Sequence, residues 1–272
     1  MTETHARFTG SIPEKYDRYL GPFLFEPYAR DLVRRLDARE GARVLEIACG
    51  TGIVTRHLRD RLPPTCVLVA TDLNPPMLEL ARRKLGAAKG IDWRQADACA
   101  LPFPDASFDA AVCQFGLMFV PDKPAACREA RRVLAEGGTF LLSTWGALAR
   151  NPVGRIAYET IASFFPADPP DFYTVPFGLN RPEVVRGFLA AGGFTGITCD
   201  EVTLEGSAPS AQDLAIGLVE GNPVGSAIRE RGGVSIEKVI AAVAAAVERE
   251  CGDRPVRAPM RALVFAARAG AA

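Results

Sequence analysis

Histidine is scarce in this chain: His5 and His57 are its two copies in 272 residues. A His-based zinc site or a Ser/His/Asp triad therefore has almost no material to draw on, and no metal site is expected. Net charge is lacking too, with 32 Lys+Arg against 32 Asp+Glu. Nucleic-acid binding needs a basic surface, so it is disfavoured, and Arg82, Arg83, Lys84, Arg131 and Arg132 read as solvated helix faces. Long apolar runs are missing. The longest, Val239–Val247, has nine residues, against the ~18 that cross a bilayer, so no membrane span is expected. Met1–Gly10 shows no cationic stretch leading into an apolar one, and a secretory leader is not expected. The seven cysteines (49, 66, 99, 113, 127, 199 and 251) form no CxxC pair. Scattered through apolar segments, they fit a reducing, cytoplasmic setting.

What remains is an ordinary globular composition, 48% hydrophobic and 24% charged, long enough for a full core without disulfides. At ~150 residues per domain the length points to one or two domains. Residues 1–40 read as a helical segment, with Phe25, Tyr28, Leu32, Val33 and Leu36 at helix spacing. Short buried strands then alternate with helices. Strands are predicted at 43–48, 67–71, 91–95, 109–114 and 138–144, and helices at 53–61, 75–85 and 122–134, with Asn74 as the cap before Pro75. That rhythm means βαβ units and a parallel sheet. Residues 146–180 break it and read as an irregular insertion with one helix. A helix at 181–191 and strands at 196–204 and 262–267 follow. Some fifty residues separate the last two strands, where a hairpin needs two to five. They carry helical patterning, including an apolar face of Ile236, Val239, Ile240, Val243 and Val247.

The first strand ends in Glu46-Ile47-Ala48-Cys49-Gly50-Thr51-Gly52. Glycines there permit positive φ and close approach of a ligand to the backbone. The turn sits at the carboxyl end of a parallel strand, where open α/β sheets bind ligands, and the next helix offers free N–H groups. Asp72, twenty residues beyond Gly52, is placed to accept from two ribose hydroxyls. These features suit a nicotinamide cofactor or S-adenosylmethionine. A dinucleotide fingerprint needs a third glycine, G-x-G-x-x-G, and Gly50-Thr51-Gly52-Ile53-Val54-Thr55 lacks it.

The chain from Arg43 to Trp145 resembles the class I S-adenosylmethionine-dependent methyltransferases, within them the small-molecule group called type 11. The resemblance rests on four stretches in order: VLEIACGTG (44–52), ATDLNPPMLELAR (70–82), QADACALPFPDASFDAAVCQFGLMFV (95–120) and EARRVLAEGGTFLLSTW (129–145). It implies an α/β fold with a Rossmann-like, doubly wound, mostly parallel seven-stranded sheet, here with a helical lid insertion. The expected domains are the core at 41–206 plus 260–272 and the lid at 207–259. The implied cofactor is S-adenosylmethionine. Glu46 matches the acid near its ammonium group, where the family more usually has Asp. Ala48, Gly50, Thr51 and Gly52 match the turn under its methionine and ribose. Asp72 matches the ribose acid, and Leu73 and Met77 match positions flanking the adenine. Asp97 and Ala98 match the groups beside the adenine amino group, and Gln114 a position near the transferred methyl. Tyr16, Tyr19, Phe115 and Phe119 offer aromatic faces to a cation. Met77 serves equally as core, and Tyr16 and Tyr19 equally as pins for the N-terminal helix.

No catalytic residue is assigned. In-line methyl transfer rests chiefly on alignment and exclusion of water, with orientation supplying up to roughly 7–11 kcal/mol. A base is needed only for a protonated nucleophile. Candidates for one are Tyr16, Tyr19, Arg150, Asn151, Tyr158 and Tyr173. Amide methylation in this family goes with an Asn/Asp-Pro-Pro-Tyr/Phe motif after the fourth strand. Gln114-Phe115-Gly116-Leu117 stands there instead. Phe115, Phe119, Trp145, Phe164, Phe165, Phe172, Tyr173 and Phe177 are expected to line the acceptor pocket. The acceptor is then a small, partly hydrophobic molecule, with quinone-ring C-methylation and natural-product O- or N-methylation both open. A non-catalytic S-adenosylmethionine-binding protein and a nucleotide-binding oxidoreductase are the competing readings. The oligomeric state is open, a homodimer included.

Overall fold

The computed structural model describes residues 6–86 and 90–270. His5 lies outside them. A short helix α1 (Ile12–Lys15) continues as a wide π-helical segment, Tyr16–Phe25, and then as α2 (Glu26–Arg34). The π segment contains Pro22, which has no N–H to give, and closes with the Glu26 N–H donating to the Gly21 carbonyl five residues back. Gly21 lets it lie against Ile53, at the start of the helix Ile53–Arg61, because a Cβ there would meet Ile53 Cδ1 at 3.2 Å. The periodicity of 1–40 indicated helix; the change of pitch inside it left no mark that a 3.6-residue pattern detects.

The alternating region follows as β1 (Arg43–Ile47), α3 (Ile53–Arg61), β2 (Val67–Asp72), α4 (Pro75–Leu85), β3 (Ile91–Gln95), β4 (Phe108–Gln114), α5 (Lys123–Val133) and β5 (Leu134–Trp145). Next come α6 (Pro152–Ser163), α7 (Pro182–Ala191), β6 (Phe194–Ala208), α8 (Ala211–Glu220), α9 (Val224–Arg231), α10 (Ile236–Cys251) and β7 (Val256–Ala269). One seven-stranded sheet runs β3-β2-β1-β4-β5-β7-β6. Its first five strands are parallel, and β7 lies antiparallel between β5 and β6. The expected doubly wound, mostly parallel seven-stranded sheet is thus present. Chain order reverses between β1 and β4, which opens the crevice where such sheets bind ligands.

The last strands are longer than the apolar pattern indicated. β7 begins at Val256 rather than 262, and Pro259 lies within it, opposite Glu205. Proline is tolerated because β5 ends at Trp145, opposite Ala262, so the outer part of β7 has one free side. β6 reaches Ala208 with every second residue exposed, a half-solvated pattern that hides a strand end. The 207–259 segment therefore takes in the tips of both strands, and the helices themselves occupy Ala211–Cys251. Val239, Ile240, Val243 and Val247 of α10 are buried. α10 packs on α8 and α6, and α8 packs on the π segment. Asn74 stands at the N-cap of α4, but its side chain makes no cap bond. Its Oδ1 accepts from the Phe8 N–H at 3.3 Å instead. Among the described residues no helix is long and apolar enough to cross a membrane.

Candidate active site

The turn after β1 is held from three sides. Gly50 adopts φ +55° and Gly52 φ +80°. Gly52 has no room for a side chain, since a Cβ would lie 3.0 Å from that of Ala81. The Gly50 N–H donates to Asp72 Oδ2 at 2.8 Å, and the Asn74 N–H to Asp72 Oδ1 at 2.8 Å. Asp72 thus ties the ends of β1 and β2 together; the Asn74 side-chain amide adds a longer bond to Oδ1 at 3.4 Å, while Oδ2 accepts from the Gly50 N–H. The Thr51 hydroxyl donates to Asp17 Oδ1 at 2.7 Å, and Lys84 pairs with the same carboxylate. This latch fastens the turn to the π segment. On the other side of the crevice, Gln114 at the end of β4 donates to the Phe25 carbonyl at 3.2 Å. Ala48 and Phe115 end β1 and β4 with φ +57° and +52°. Left-handed conformations of non-glycine residues are costly and concentrate at functional sites. Gly116 lets the two turns touch, because a Cβ there would stand 2.5 Å from Ala48 Cβ.

These elements enclose a cleft of about 450 Å³. Tyr16, Ala48, Gly50, Asp72, Leu73, Met77, Asp97, Ala98, Gln114 and Phe115 all line it. A small side chamber lies between the glycine turn and the π segment, walled by Glu46, Thr51, Gln114 and Tyr16 among others. Glu46 Oε2 and Gln114 Oε1 are buried there without a hydrogen-bond donor. Unpartnered acceptors on two side chains of one chamber suit a positively charged donor such as an ammonium group. Burial pushes the Glu46 carboxyl from its usual 4.5 up to about 8; neighbouring Thr55 pulls it back and the Asp72 charge raises it further. Burial also raises Asp72, against its bonds from Asn74 and Gly50. A cation in this chamber relieves both.

A second, apolar chamber of about 60 Å³ adjoins the cleft. Phe8, Tyr16, Phe115 and Phe119 line both spaces. Farther in stand Phe25, Trp145, Phe172, Tyr173 and Phe177, with Leu218 and Asn222 from the end of α8 and Met260 from β7. The wall is rigid. Phe115 stacks on Trp145 with centroids 3.8 Å apart, Tyr16 stacks on Phe25 at 4.6 Å, and Tyr28 meets Phe115 edge-on at 5.4 Å. The Tyr28 hydroxyl donates to the Met260 carbonyl at 2.7 Å, which fixes α2 against the hairpin.

Tyr19 and Gly52 line none of the three spaces. Tyr19 lies against α8, where Gly217 makes room for its Cβ, and its ring carries Arg18 at 5.1 Å. Of the base candidates, Arg150 is exposed and faces Glu201, and Tyr158 lies outside the chambers. Asn151 is used up structurally, donating to Ala147 and Arg261 carbonyls and accepting from the Arg261 N–H. The Tyr173 proton goes to the Leu218 carbonyl at 2.7 Å. Burial holds the Tyr16 and Tyr173 hydroxyls far above the usual phenol range. Phe164 and Phe165 pack on the core instead of lining the chamber. Sequence reasoning did not single out Phe8, Leu218, Asn222 or Met260, and it read Asn74 only as a helix cap. They converge through long-range packing, and Gly221-Asn222-Pro223 signals only a turn.

Residues 45–142 match a family described as a methyltransferase domain. A ubiquinone/menaquinone biosynthesis C-methyltransferase (UbiE) of Hahella chejuensis is 37% identical over 164 residues, which is 58% of this chain and 66% of that protein. A demethylmenaquinone methyltransferase of Thermus thermophilus is 34% identical over 169 residues, 56% of this chain and 74% of that protein. The chain thus spans just under two thirds of the first of these relatives. Among solved structures, Haemonchus contortus phosphoethanolamine N-methyltransferase 2 in complex with S-adenosyl-L-methionine superposes with TM-score 0.61 at 16% identity. That alignment covers 95% of this chain and 57% of the other. The fold, the crevice and these relatives define a class I S-adenosylmethionine-dependent methyltransferase. The chain belongs to that family, and S-adenosylmethionine is its cofactor.

Proposed function

We propose that the protein transfers a methyl group from S-adenosylmethionine in the large cleft to a small, largely apolar acceptor in the aromatic chamber. The acceptor atom in this reading is a carbon of an electron-rich ring of quinol type. The observation that carries it is the shared wall. Phe8, Tyr16, Phe115 and Phe119 border both cavities, so a donor in one and an acceptor in the other meet at a single aromatic mouth. When bound, the cofactor supplies an electrophilic methyl carbon on a sulfonium.

The chain's residues do the rest. Glu46 and Gln114 receive the ammonium group, Asp72 the ribose hydroxyls and Asp97 the adenine amino group, with Leu73 and Met77 beside the ring. Tyr16 and Phe115 offer their faces to the sulfonium and, with Phe119, keep water from the line of transfer. Helices α8–α10 act as a lid whose α8 end closes the chamber. None of the chamber's lining side chains accepts a proton at neutral pH, which supports an acceptor carbon activated by its own ring hydroxyl over an amine that must first be deprotonated. The names of the relatives, C-methyltransferases of quinone biosynthesis, support the same choice.

The test is a screen of quinols, phenols, and small amines and alcohols with methyl-labelled cofactor and mass detection of product. Label on a ring carbon is the expected result. Label on oxygen or nitrogen would reassign the acceptor, and no product from any class would leave a cofactor-binding protein without this activity.

A further inference from the structure

The aromatic chamber carries one polar side-chain atom whose purpose the fold does not explain. Four lining side chains have polar groups: Tyr16, Asn151, Tyr173 and Asn222. Asn151 is saturated by backbone partners on both its nitrogen and its oxygen. Tyr173 spends its proton on Leu218. Tyr16 stands at the mouth, shared with the cofactor cleft. Asn222 lies within the wall, 8% exposed. Its Nδ2 donates to the Leu218 carbonyl at 3.2 Å, which sets the orientation of the amide. Among the described residues nothing donates to its Oδ1.

The turn that bears Asn222 is positioned tightly. Gly221 allows it to press on the π segment, because a Cβ at Gly221 would lie 3.1 Å from the Tyr16 backbone nitrogen. Asn222 and Tyr16 therefore belong to one packed junction and keep a set spacing. Unlike Glu46 Oε2 and Gln114 Oε1, this oxygen is not sealed off from accessible space. An amide acceptor without a protein donor, in the wall of an otherwise aromatic chamber, is open to a ligand that brings the donor.

Resting on the reading that this chamber holds the methyl acceptor, we propose that Asn222 is a specificity-determining residue: its Oδ1 accepts a hydrogen bond from a hydroxyl on the acceptor's ring. The chemical class follows. The acceptor is a planar, apolar ring bearing a free hydroxyl, a phenol or a hydroquinone. The hydroxyl points to the α8 end, and the opposite edge faces Tyr16 and Phe115. An amide oxygen accepts the bond without taking the proton, so Asn222 selects and orients. An oxidised quinone, which has only acceptor oxygens, is refused at this position. A site built to bond a hydroxyl rejects the analogue that lacks it.

The experiment measures binding rather than turnover, so that it stands apart from the proposed reaction. Protein saturated with S-adenosylhomocysteine is dialysed to equilibrium against 1-naphthol and against 1-methylnaphthalene, which has nearly the same shape and no hydroxyl. Wild type is expected to prefer the naphthol by about tenfold, the equivalent of one net hydrogen bond. Asn222→Leu is expected to bind both within twofold of each other with S-adenosylhomocysteine affinity unchanged. Asn222→Ala gives the same readout should the leucine variant fail to fold. Equal binding of the two probes by wild type, a preference that survives in the variants, or no binding of either probe overturns the proposal. None of these results touches methyl transfer itself, which is judged by product mass in the acceptor screen.

Discussion

Burial, with the Asp72 charge nearby, makes Glu46 hold its proton, and a cation bound in the proposed ammonium site is expected to release it. Its carboxyl sits near 8 in the folded chain against 4.5 ordinarily, so the folded state binds this proton more tightly than the unfolded chain does. The stability it contributes is complete below about pH 4.5 and is lost as pH rises through about 8, on the order of a few kcal/mol. Glu46→Gln removes the titration. Its melting temperature should exceed wild type above pH 8 and should no longer fall between pH 5 and 8. The same variant should bind S-adenosylmethionine more weakly, and the rise of wild-type affinity from pH 6 to 8 should vanish. Calorimetry across that range checks both. Asp72→Ala should weaken the cofactor by about 2–4 kcal/mol, through loss of charge-assisted bonds to two hydroxyls. From the sequence, the cofactor-free melting temperature is expected to stay put. The structure changes that expectation: the Gly50 and Asn74 N–H groups lose their acceptor, at about 1–2 kcal/mol. A drop of several degrees by thermal melting is now expected. An unchanged melting point would mean that relief of the buried charge offsets the lost bonds.

The elements of the cofactor cleft were readable because each is local. A strand, a glycine turn and a helix start occupy nine consecutive residues at Val44–Gly52, and the acids at the ends of β2 and β3 follow at short range. Their pairing in register across β1, β2 and β3 places Asp72 and Asp97 on one wall. What escaped was written in contacts distant in the chain. The π segment carries Tyr16 to the junction of all three cavities, yet its contacts, Gly21 close to Ile53 and Gln114 donating to the Phe25 carbonyl, join residues distant in the chain. Asn222 reaches the chamber only because α8 lies on that segment. Gly116 is a further example. It looks like a spacer in Gln114-Phe115-Gly116-Leu117, but it is where the turns of β1 and β4 touch. Gly116→Ala should lose about 1–3 kcal/mol of stability through overpacking. The displaced Ala48 turn should lower cofactor affinity as well. Denaturant melts and titration calorimetry on one preparation test this, and a variant with wild-type values in both would show that the contact yields freely.

At the scale of the whole molecule, the helices between β6 and β7 bring Leu218 and Asn222 to the chamber wall, and the proposed lid is tested by removing them. The buried face of α10 lies against α6 and α8, so the unit packs firmly and is more than a loose flap. Cutting at 207 and 259 would also remove the paired strand tips. Replacing residues 210–254 by a short Gly/Ser turn spares the Ala208–Val256 pair and leaves Met260 in place for Tyr28. Acceptor turnover should collapse while cofactor affinity stays within about 1 kcal/mol. A folded variant with full turnover would dismiss the lid, and an unfolded one would make the unit part of the core. The hairpin that bears these helices has a colloidal consequence. β6 is the last strand of the sheet, fifteen residues long, with a side that no strand pairs among the described residues. Such an edge is a template for other chains. Here Arg186 occupies the Ile197 carbonyl, and Asp200, Glu201 and Glu205 form ion pairs with Arg35, Arg261 and Arg257. With no net charge to keep molecules apart near neutrality, this local guard is expected to matter against edge-to-edge association. Glu201→Val with Glu205→Val should leave the cofactor cleft untouched and turn a clear solution turbid, a change that light scattering at matched concentration would register.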